Sequence, residues 1–412
     1  MSKVVVVGIG TRGDVAPLTG VGRRLQDEGH EVVLAGHAMF ADMITGCGLR
    51  FRRMEADLGL DEDLSRATPL ELVKAIYAPS GIRAIGQGML AALRDEPADV
   101  LLLSPLAEFA GHQLAEAKAI PSIGVRLQPL SPTRDYPPAV LGAWSAGSFG
   151  NRAVGRLGAG LIDRLYTRPM ATFRSELDLP VASARMLRRR RTRSGWPVLY
   201  GYSPSVVPRP GDWRPGLDVV GYWWPALPTS WQPPRELTRF LDAGAPPVFI
   251  GFGSLITGTD QATRLSELVQ RALRAVGARG VIQAGLAGLD VHGDDMLTIG
   301  DVPHEWLFPR VGAVVHACGA GTTAAGLRAG APAVAVPFGT GDQPFWAGWL
   351  RRSGVSAATI PQRSLTADNL TAAVRAALTD TTLHDNARRL AALIAQEDGA
   401  LQVVTTVKRL TH

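Results

Sequence analysis

Two stretches of this chain carry residue types suited to chemistry, one for holding an anion and one for moving a proton. In the first, Ala313–His316 is a short apolar run and Cys318-Gly319-Ala320-Gly321-Thr322-Thr323 is a turn of small residues. The spacing predicts a helix beginning near Thr323 and ending near Gly330 and Pro332, followed by a strand at Ala333–Pro337. Such a turn points unpaired N–H groups and the positive end of a helix outward, and its first turn holds no Asp or Glu. A phosphate or diphosphate suits it. Asp342 and Gln343 follow just past the next strand end, where cleft residues of α/β sheets gather.

The second stretch is Gly8-Ile9-Gly10-Thr11-Arg12-Gly13-Asp14. Its glycines match the GxGxxG dinucleotide pattern, but that pattern alone is weak. The acid expected about 20 residues further on is missing, since Ala35-Gly36-His37 stands there, and Asp14 would meet a pyrophosphate with like charge. An NAD(P)-dependent oxidoreductase is therefore disfavoured. Two readings of Asp14 stay open: a helix cap satisfying orphan amides, or a carboxylate at the open edge of a sheet that takes a proton from a hydroxyl. Arg12 beside it could orient the loop or hold Asp14 ionised.

The elements around these stretches alternate strand and helix. Lys3–Gly8 is an all-apolar strand, the loop Ile9–Ala16 leads into a helix, and Glu31–Ala35, Asp99–Leu103 and Ile120–Val125 are further strands of one parallel sheet. From about Gln128 to Gly195 the pattern loosens. Pro197–Ser203 reads as the last strand of the first domain, and the following segment, rich in proline and holding Trp213, Trp223, Trp224 and Trp231, as a packed linker. A second series starts at Pro247, with strands at Gly280–Ala284 and Met296–Gly300, and helices at Gln261–Val276, Leu365–Leu378, Leu383–Ile394 and Leu401–Leu410. The expected division is 1–205 as an N-terminal domain, 206–235 as linker, 236–394 as a C-terminal domain, and 395–412 as a terminal helix packing back on the first.

Composition sets the outer limits. The chain has 412 residues, 46% of them hydrophobic and 19% charged, enough for two cores. It holds no run of 18 apolar residues, and two cysteines, Cys47 and Cys318, make neither a disulfide framework nor a metal cluster. Together with the short apolar start after Lys3, these features lead us to expect a cytoplasmic protein. The net charge of +6 includes one dense basic run, Arg185–Arg193. Its simplest reading is a solvated, mobile loop; the alternative is attraction to an anionic acceptor or to lipid headgroups, giving transient contact with a membrane surface. No nucleic-acid motif accompanies it. Asp61-Glu62-Asp63 reads as a solvated surface turn, and no Asp-x-Asp pair sits where a metal–diphosphate bridge would need one.

These motifs, in this order, resemble inverting nucleotide-sugar-dependent glycosyltransferases of the GT-B fold, in the branch of sterol glucosyltransferases and bacterial antibiotic glycosyltransferases. The resemblance rests on 10–17 (Gly-Thr-Arg-Gly-Asp-Val-Ala-Pro), on Val220-Gly221-Tyr222-Trp223 and on Gly251-Phe252-Gly253-Ser254. It continues through 302–309 (Val-Pro-His-Glu-Trp-Leu-Phe-Pro), Gly319–Thr323 and 341–346 (Gly-Asp-Gln-Pro-Phe-Trp). It implies two Rossmann-like domains facing across a cleft, the first binding the acceptor and the second a UDP- or dTDP-sugar. By the same resemblance Asp14 would deprotonate the acceptor, and the backbone at Val302 with the face of Trp306 or Phe308 would hold the base. Ser254 and the amides of Gly319, Ala320, Gly321, Thr322 and Thr323 would hold the diphosphate. Asp342 and Gln343 would hydrogen-bond the donor sugar, and Arg12 is grouped with the donor contacts. No metal and no cofactor beyond the nucleotide-sugar co-substrate is implied.

One departure stands out. Relatives commonly carry His-His-Gly-Gly-Ala-Gly-Thr-Thr where this chain has His316-Ala317-Cys318-Gly319-Ala320-Gly321-Thr322-Thr323. Ala317 then replaces a phosphate-contacting histidine, removing a charge-assisted hydrogen bond of about 1.5–3 kcal/mol. Either His316 swings in to compensate or another cation serves; the plain alternative for His316 is a buried strand-end imidazole bonded to backbone. The expected function is transfer of a hexose, or a deoxyhexose, to a hydroxyl of a lipophilic acceptor, foremost a natural-product aglycone. The alternatives are a sterol or lipid glucosyltransferase and a non-catalytic nucleotide-sugar-binding homologue.

Overall fold

The computed structural model describes residues 1–56, 74–253, 258–339 and 341–411. Ser254 and Asp61-Glu62-Asp63 lie outside them. Two parallel sheets organise the chain. The first has seven strands: β1 (Lys3–Val7), β2 (Glu31–His37), β3 (Arg50–Met54), β4 (Val100–Leu103), β5 (Ser122–Arg126), β6 (Val198–Tyr200) and β7 (Leu217–Val219), in the order β3-β2-β1-β4-β5-β6-β7. The second has six: β8 (Val248–Gly251), β9 (Gly280–Gln283), β10 (Met296–Ile299), β11 (Ala313–His316), β12 (Ala333–Ala335) and β13 (Ser356–Thr359), in the order β10-β9-β8-β11-β12-β13. The α/β, two-domain expectation stands.

The apolar runs are apolar because both faces of each sheet are covered. In β1, Val4 and Val6 pack with Leu18 and Val21 on one side, while Val5 and Val7 pack with Met89 and Leu90 on the other. Period-two alternation thus serves two cores rather than one core and solvent. A third core joins the domains: Tyr202 meets Trp346 edge-on at 5.9 Å and Tyr136 meets Phe345 at 5.3 Å.

Three sequence readings change. The helix after β1 begins at Arg12, inside the segment read as loop. The 128–195 region contains helices Gly147–Leu165, Thr167–Glu176 and Ala184–Arg193, so the basic run is a helix and not a mobile loop. Ser183 caps it, accepting from the Met186 N–H at 3.2 Å, Leu187 anchors it in a small core with Met170, and Arg188 reaches Asp163 at 2.8 Å. Finally, β6 is not the last strand of its sheet; β7 pairs alongside it from within the proline-rich segment.

The terminal helix Gly399–Thr411 lies on the N-terminal domain. Val403, Val404 and Val407 enter the core of Val4 and Leu18, and Lys408 reaches Glu28 at 2.8 Å. A Cβ on Gly399 would overlap the Gly221 carbonyl, so the close crossing requires glycine there. Trp223 is buried at the same crossing and donates to the Gly399 carbonyl at 3.1 Å. No helix of the described residues is long and apolar enough to cross a membrane.

Candidate active site

β1 ends at Gly8 and delivers a loop to the C-terminal edge of the first sheet. Thr11 caps the Arg12–Asp27 helix, and Asp14, three residues in, turns back to close a capping box: its Oδ2 accepts from the Thr11 N–H at 2.8 Å and hydroxyl at 2.9 Å. Gly10 makes room, since a Cβ there would overlap the Asp14 carboxylate, and its φ of 142° suits glycine alone. Burial pushes the Asp14 carboxyl above the usual carboxylate range, against the lowering effect of hydrogen bonds from Thr11 and Gln128. The capping reading holds: Oδ2 caps, in a site where the ionised form of the carboxyl is disfavoured.

Arg12 turns elsewhere. Its guanidinium pairs with Asp301, just beyond β10 in the second domain, whose other oxygen accepts from Gln283 at 3.2 Å. The contact ties the first loop of one domain to the strand end of the other, and Asp14 is not held ionised by it.

Across the domain boundary, β11 runs into the small-residue turn. Cys318 takes a left-handed conformation (φ 62°), and Gly319 caps the Ala320–Arg328 helix with no side chain over its amides. The Thr323 N–H bonds back to the Gly319 carbonyl at 2.9 Å; the three preceding amides belong to the set a helix leaves unsatisfied. Cβ atoms built on Gly319 and Gly321 would meet nothing within 4 Å. The Thr323 hydroxyl is buried and has no hydrogen-bond partner. Uncapped amides with open space at Gly319 and Gly321 fit an anion with several acceptor oxygens, and the unpartnered Thr323 hydroxyl lies buried in the same turn.

His316 is not a cation over that turn. It is 1% exposed, its Nδ1 accepts from the Cys318 N–H at 3.2 Å, and burial drives its pKa to about 3. Compensation for Ala317 by a swinging His316 is thereby overturned; Ala317 itself is packed in the second domain's core. His304 is half-buried and neutral, its pKa lowered to about 4 by desolvation, stacked 4.4 Å from Phe308. Phe308, also packed against Phe249 at 4.8 Å, is core and offers no face to a base. Trp306 is half-buried, edge-on to Trp231 at 5.6 Å with the Arg310 guanidinium 4.5 Å from its ring centre, and Val302 is buried behind it.

Asp342 caps the Gln343–Arg352 helix from the loop after β12. Its Oδ2 accepts from the indole N–H of Trp346 at 2.7 Å, which fixes the carboxylate because Trp346 is itself buried. The Gln343 Oε1 accepts from the Phe338 N–H at 2.9 Å, so its amide nitrogen is the end turned to other partners. Burial raises the Asp342 pKa, the Asp14 carboxylate adds to the rise, and Gln128 acts to lower Asp342 as it does Asp14. Burial raises the Tyr77 phenol, and both carboxylates add to that rise. Gln128 and Tyr77 were not expected from sequence. Gln128 follows β5 at the sheet edge that carries Asp14, a signal position could have supplied; Tyr77 had none.

Comparison with known proteins agrees with this architecture. Residues 4–94 match the glycosyltransferase family 28 N-terminal domain, and residues 283–410 the erythromycin biosynthesis protein CIII-like C-terminal domain. A sterol 3-beta-glucosyltransferase of Arabidopsis thaliana (UGT80A2) is 33% identical over 98% of this chain, which spans 64% of that relative's length. The O-mycaminosyltylonolide 6-deoxyallosyltransferase of Streptomyces fradiae is 33% identical over 96% of this chain and 94% of its own. Among solved structures, the glycosyltransferase VinC in complex with dTDP superposes with a TM-score of 0.66 at 18% identity, covering 99% of both chains. Two Rossmann-like domains with these motifs at their strand ends thus have their place among known proteins: the chain belongs to the GT-B glycosyltransferase family that includes the sterol glucosyltransferases and the antibiotic glycosyltransferases.

Proposed function

We propose that the protein is an inverting, metal-independent hexosyltransferase that uses a UDP- or dTDP-sugar and a lipophilic acceptor bearing a hydroxyl. The acceptor O–H gives its proton to Asp14. The freed oxygen pair attacks the anomeric carbon from the face opposite the diphosphate, and the bond from that carbon to the diphosphate oxygen breaks with its electrons on the leaving nucleotide. The amides of Ala320, Gly321 and Thr322, the Thr323 hydroxyl and Ser254 receive the developing charge. Asp342 and Gln343 hold the sugar hydroxyls, and Val302 with Trp306 the base. Arg12 acts at one remove, through Asp301.

The observation that carries this reading is the Asp14 carboxylate, kept from easy ionisation and set opposite Asp342 of the donor loop. A base with a raised pKa takes a proton more readily near neutrality. A natural-product aglycone and a sterol or lipid are supported equally, one by the S. fradiae relative and the other by the A. thaliana relative. The deciding experiment is Asp14→Asn: turnover falls roughly 10²–10⁴-fold while calorimetry shows unchanged donor binding. Wild-type turnover in that variant would falsify the base assignment. A non-catalytic nucleotide-sugar-binding protein is the second reading, favoured by the buried Ala317 and neutral His316. Donor binding without turnover on any of a broad panel of hydroxylated acceptors would establish it.

A further inference from the structure

The positive charge of this protein is concentrated in one place. Residues 147–193 hold eleven arginines against three acids; with +8 here and +6 for the whole chain, the remainder carries −2. The same segment exposes large apolar side chains. The Gly147–Leu165 helix buries only Asn151 and Gly155, while Phe149 is 88% exposed, Leu157 73% and Leu161 67%. Spacings of eight and four residues place these three on one side of the helix, and the exposed Arg156 and Arg164 fall on that same side. Apolar side chains gathered in this way mark a surface that meets something other than water.

The neighbouring Ala184–Arg193 helix supplies the rest of the face, tied to the first by Arg188 and Asp163. Arg185, Arg189, Arg190 and Arg193 line an open pocket of about 690 Å³ with Met186, whose side chain is half exposed. Ahead of the first helix, Val140, Leu141 and Trp144 are also about half exposed. The turn they belong to rests on the Gln343–Arg352 helix, with Ala143 against Gly348, and that helix starts at Asp342. Exposed apolar side chains are thus found both on the helix and in the turn that precedes it, and that turn rests on the helix of the donor loop.

We propose that this face seats the protein on an anionic lipid bilayer, with Phe149, Leu157 and Leu161 entering the headgroup region and the arginines meeting lipid phosphates. A helix with an apolar ridge and arginine flanks is the pattern of an element lying in the interface plane. Self-association through this face would set the exposed Arg156, Arg164, Arg185, Arg189 and Arg193 against their own copies. Nucleic acid would leave the ridge in water. Delivery of a lipophilic acceptor from the bilayer to the donor loop rests on the proposed reaction; docking itself does not.

The test is sedimentation of the full chain with vesicles of phosphatidylcholine alone or with about one-third phosphatidylglycerol, at about 0.1 M salt. The expected result is binding to the anionic vesicles, weakened roughly 100-fold by Arg185→Glu with Arg189→Glu and Arg193→Glu. Phe149→Ser with Leu157→Ser and Leu161→Ser should remove the part of binding that survives about 1 M salt. Turnover of a water-soluble acceptor without vesicles should be unchanged in both variants, which shows them folded. Failure of the wild type to bind anionic vesicles overturns the proposal, as does equal binding by the charge-reversed variant. So does a dimer that the serine variant dissolves in the absence of vesicle binding, which would assign the face to a second copy. Asp14→Asn should bind vesicles normally, so failure of the reaction scheme and failure of docking are read separately.

Discussion

Asp14, in the first turn of the helix after β1, and Asp342, on the loop after β12, lie close enough for the Asp14 charge to raise the Asp342 pKa, while Gln128 acts to lower both. The two carboxyls stand 328 positions apart in the chain. Each is fixed by its own domain, Asp14 by Thr11 and Asp342 by Trp346.

The pair makes a pH prediction. Both folded-state values are raised above the ordinary aspartate value of 3.8, so the native state favours protonation. The stability these groups contribute is present at low pH and is lost as pH rises through the folded values. Asp342→Asn, which keeps an acceptor for Trp346, should therefore raise Tm at neutral pH, with the gain shrinking as pH falls toward 3.8. In Asp14→Asn the Asp342 carboxyl should titrate at lower pH, because it loses the like charge that raises it. Thermal melts across pH check the first part and an NMR titration of Asp342 the second; an Asp342 titration that does not move breaks the link between the residues.

Gly10→Ala tests whether the loop exists to hold Asp14. The added Cβ meets the carboxylate directly, and the φ of 142° disfavours any side chain, at a cost on the order of 1–3 kcal/mol. The expected outcome is a folded protein that binds donor normally and turns over at least tenfold more slowly. Calorimetry and steady-state kinetics on one preparation suffice. A wild-type kcat would mean that the position of Asp14 is not critical.

Thr323→Val replaces the orphan hydroxyl with a methyl group of similar volume. With no intramolecular partner to lose, unliganded stability should hold or rise, since a buried unsatisfied group is relieved. Donor affinity should fall about 10–100-fold, equivalent to one hydrogen bond to a charged group of about 1.5–3 kcal/mol. Unchanged Kd for the nucleoside diphosphate would remove Thr323 from the site.

The Arg12–Asp301 pair joins the two domains, but both side chains are more than half exposed. A double-mutant cycle with Arg12→Ala and Asp301→Ala should give a coupling of about 0.2–1 kcal/mol, falling at high salt. A larger, salt-independent coupling would show that the pair is desolvated in solution.

What the chain declares locally was legible. Lys3–Val7 could only be a strand covered on both faces, the small-residue run Cys318–Thr323 could only be a tight turn opening a helix, and the motifs placed Asp14, Asp342 and Gln343 at strand ends. These follow from side-chain periodicity and backbone freedom within a few residues of each position. Contacts between distant parts of the chain were not legible. The basic run becomes a helix through Ser183, Leu187 and Asp163, and the three-residue strand β7 exists because β6 lies beside it. His316 and Phe308 are withdrawn from the site by burial, whereas Gln128 comes to act on both carboxylates. Sequence alone specified which groups the protein has and which local shapes display them. Only the packing of one domain on the other decided which carboxylates face each other and which rings are lost to the core, because those choices depend on desolvation and charge supplied by residues hundreds of positions away.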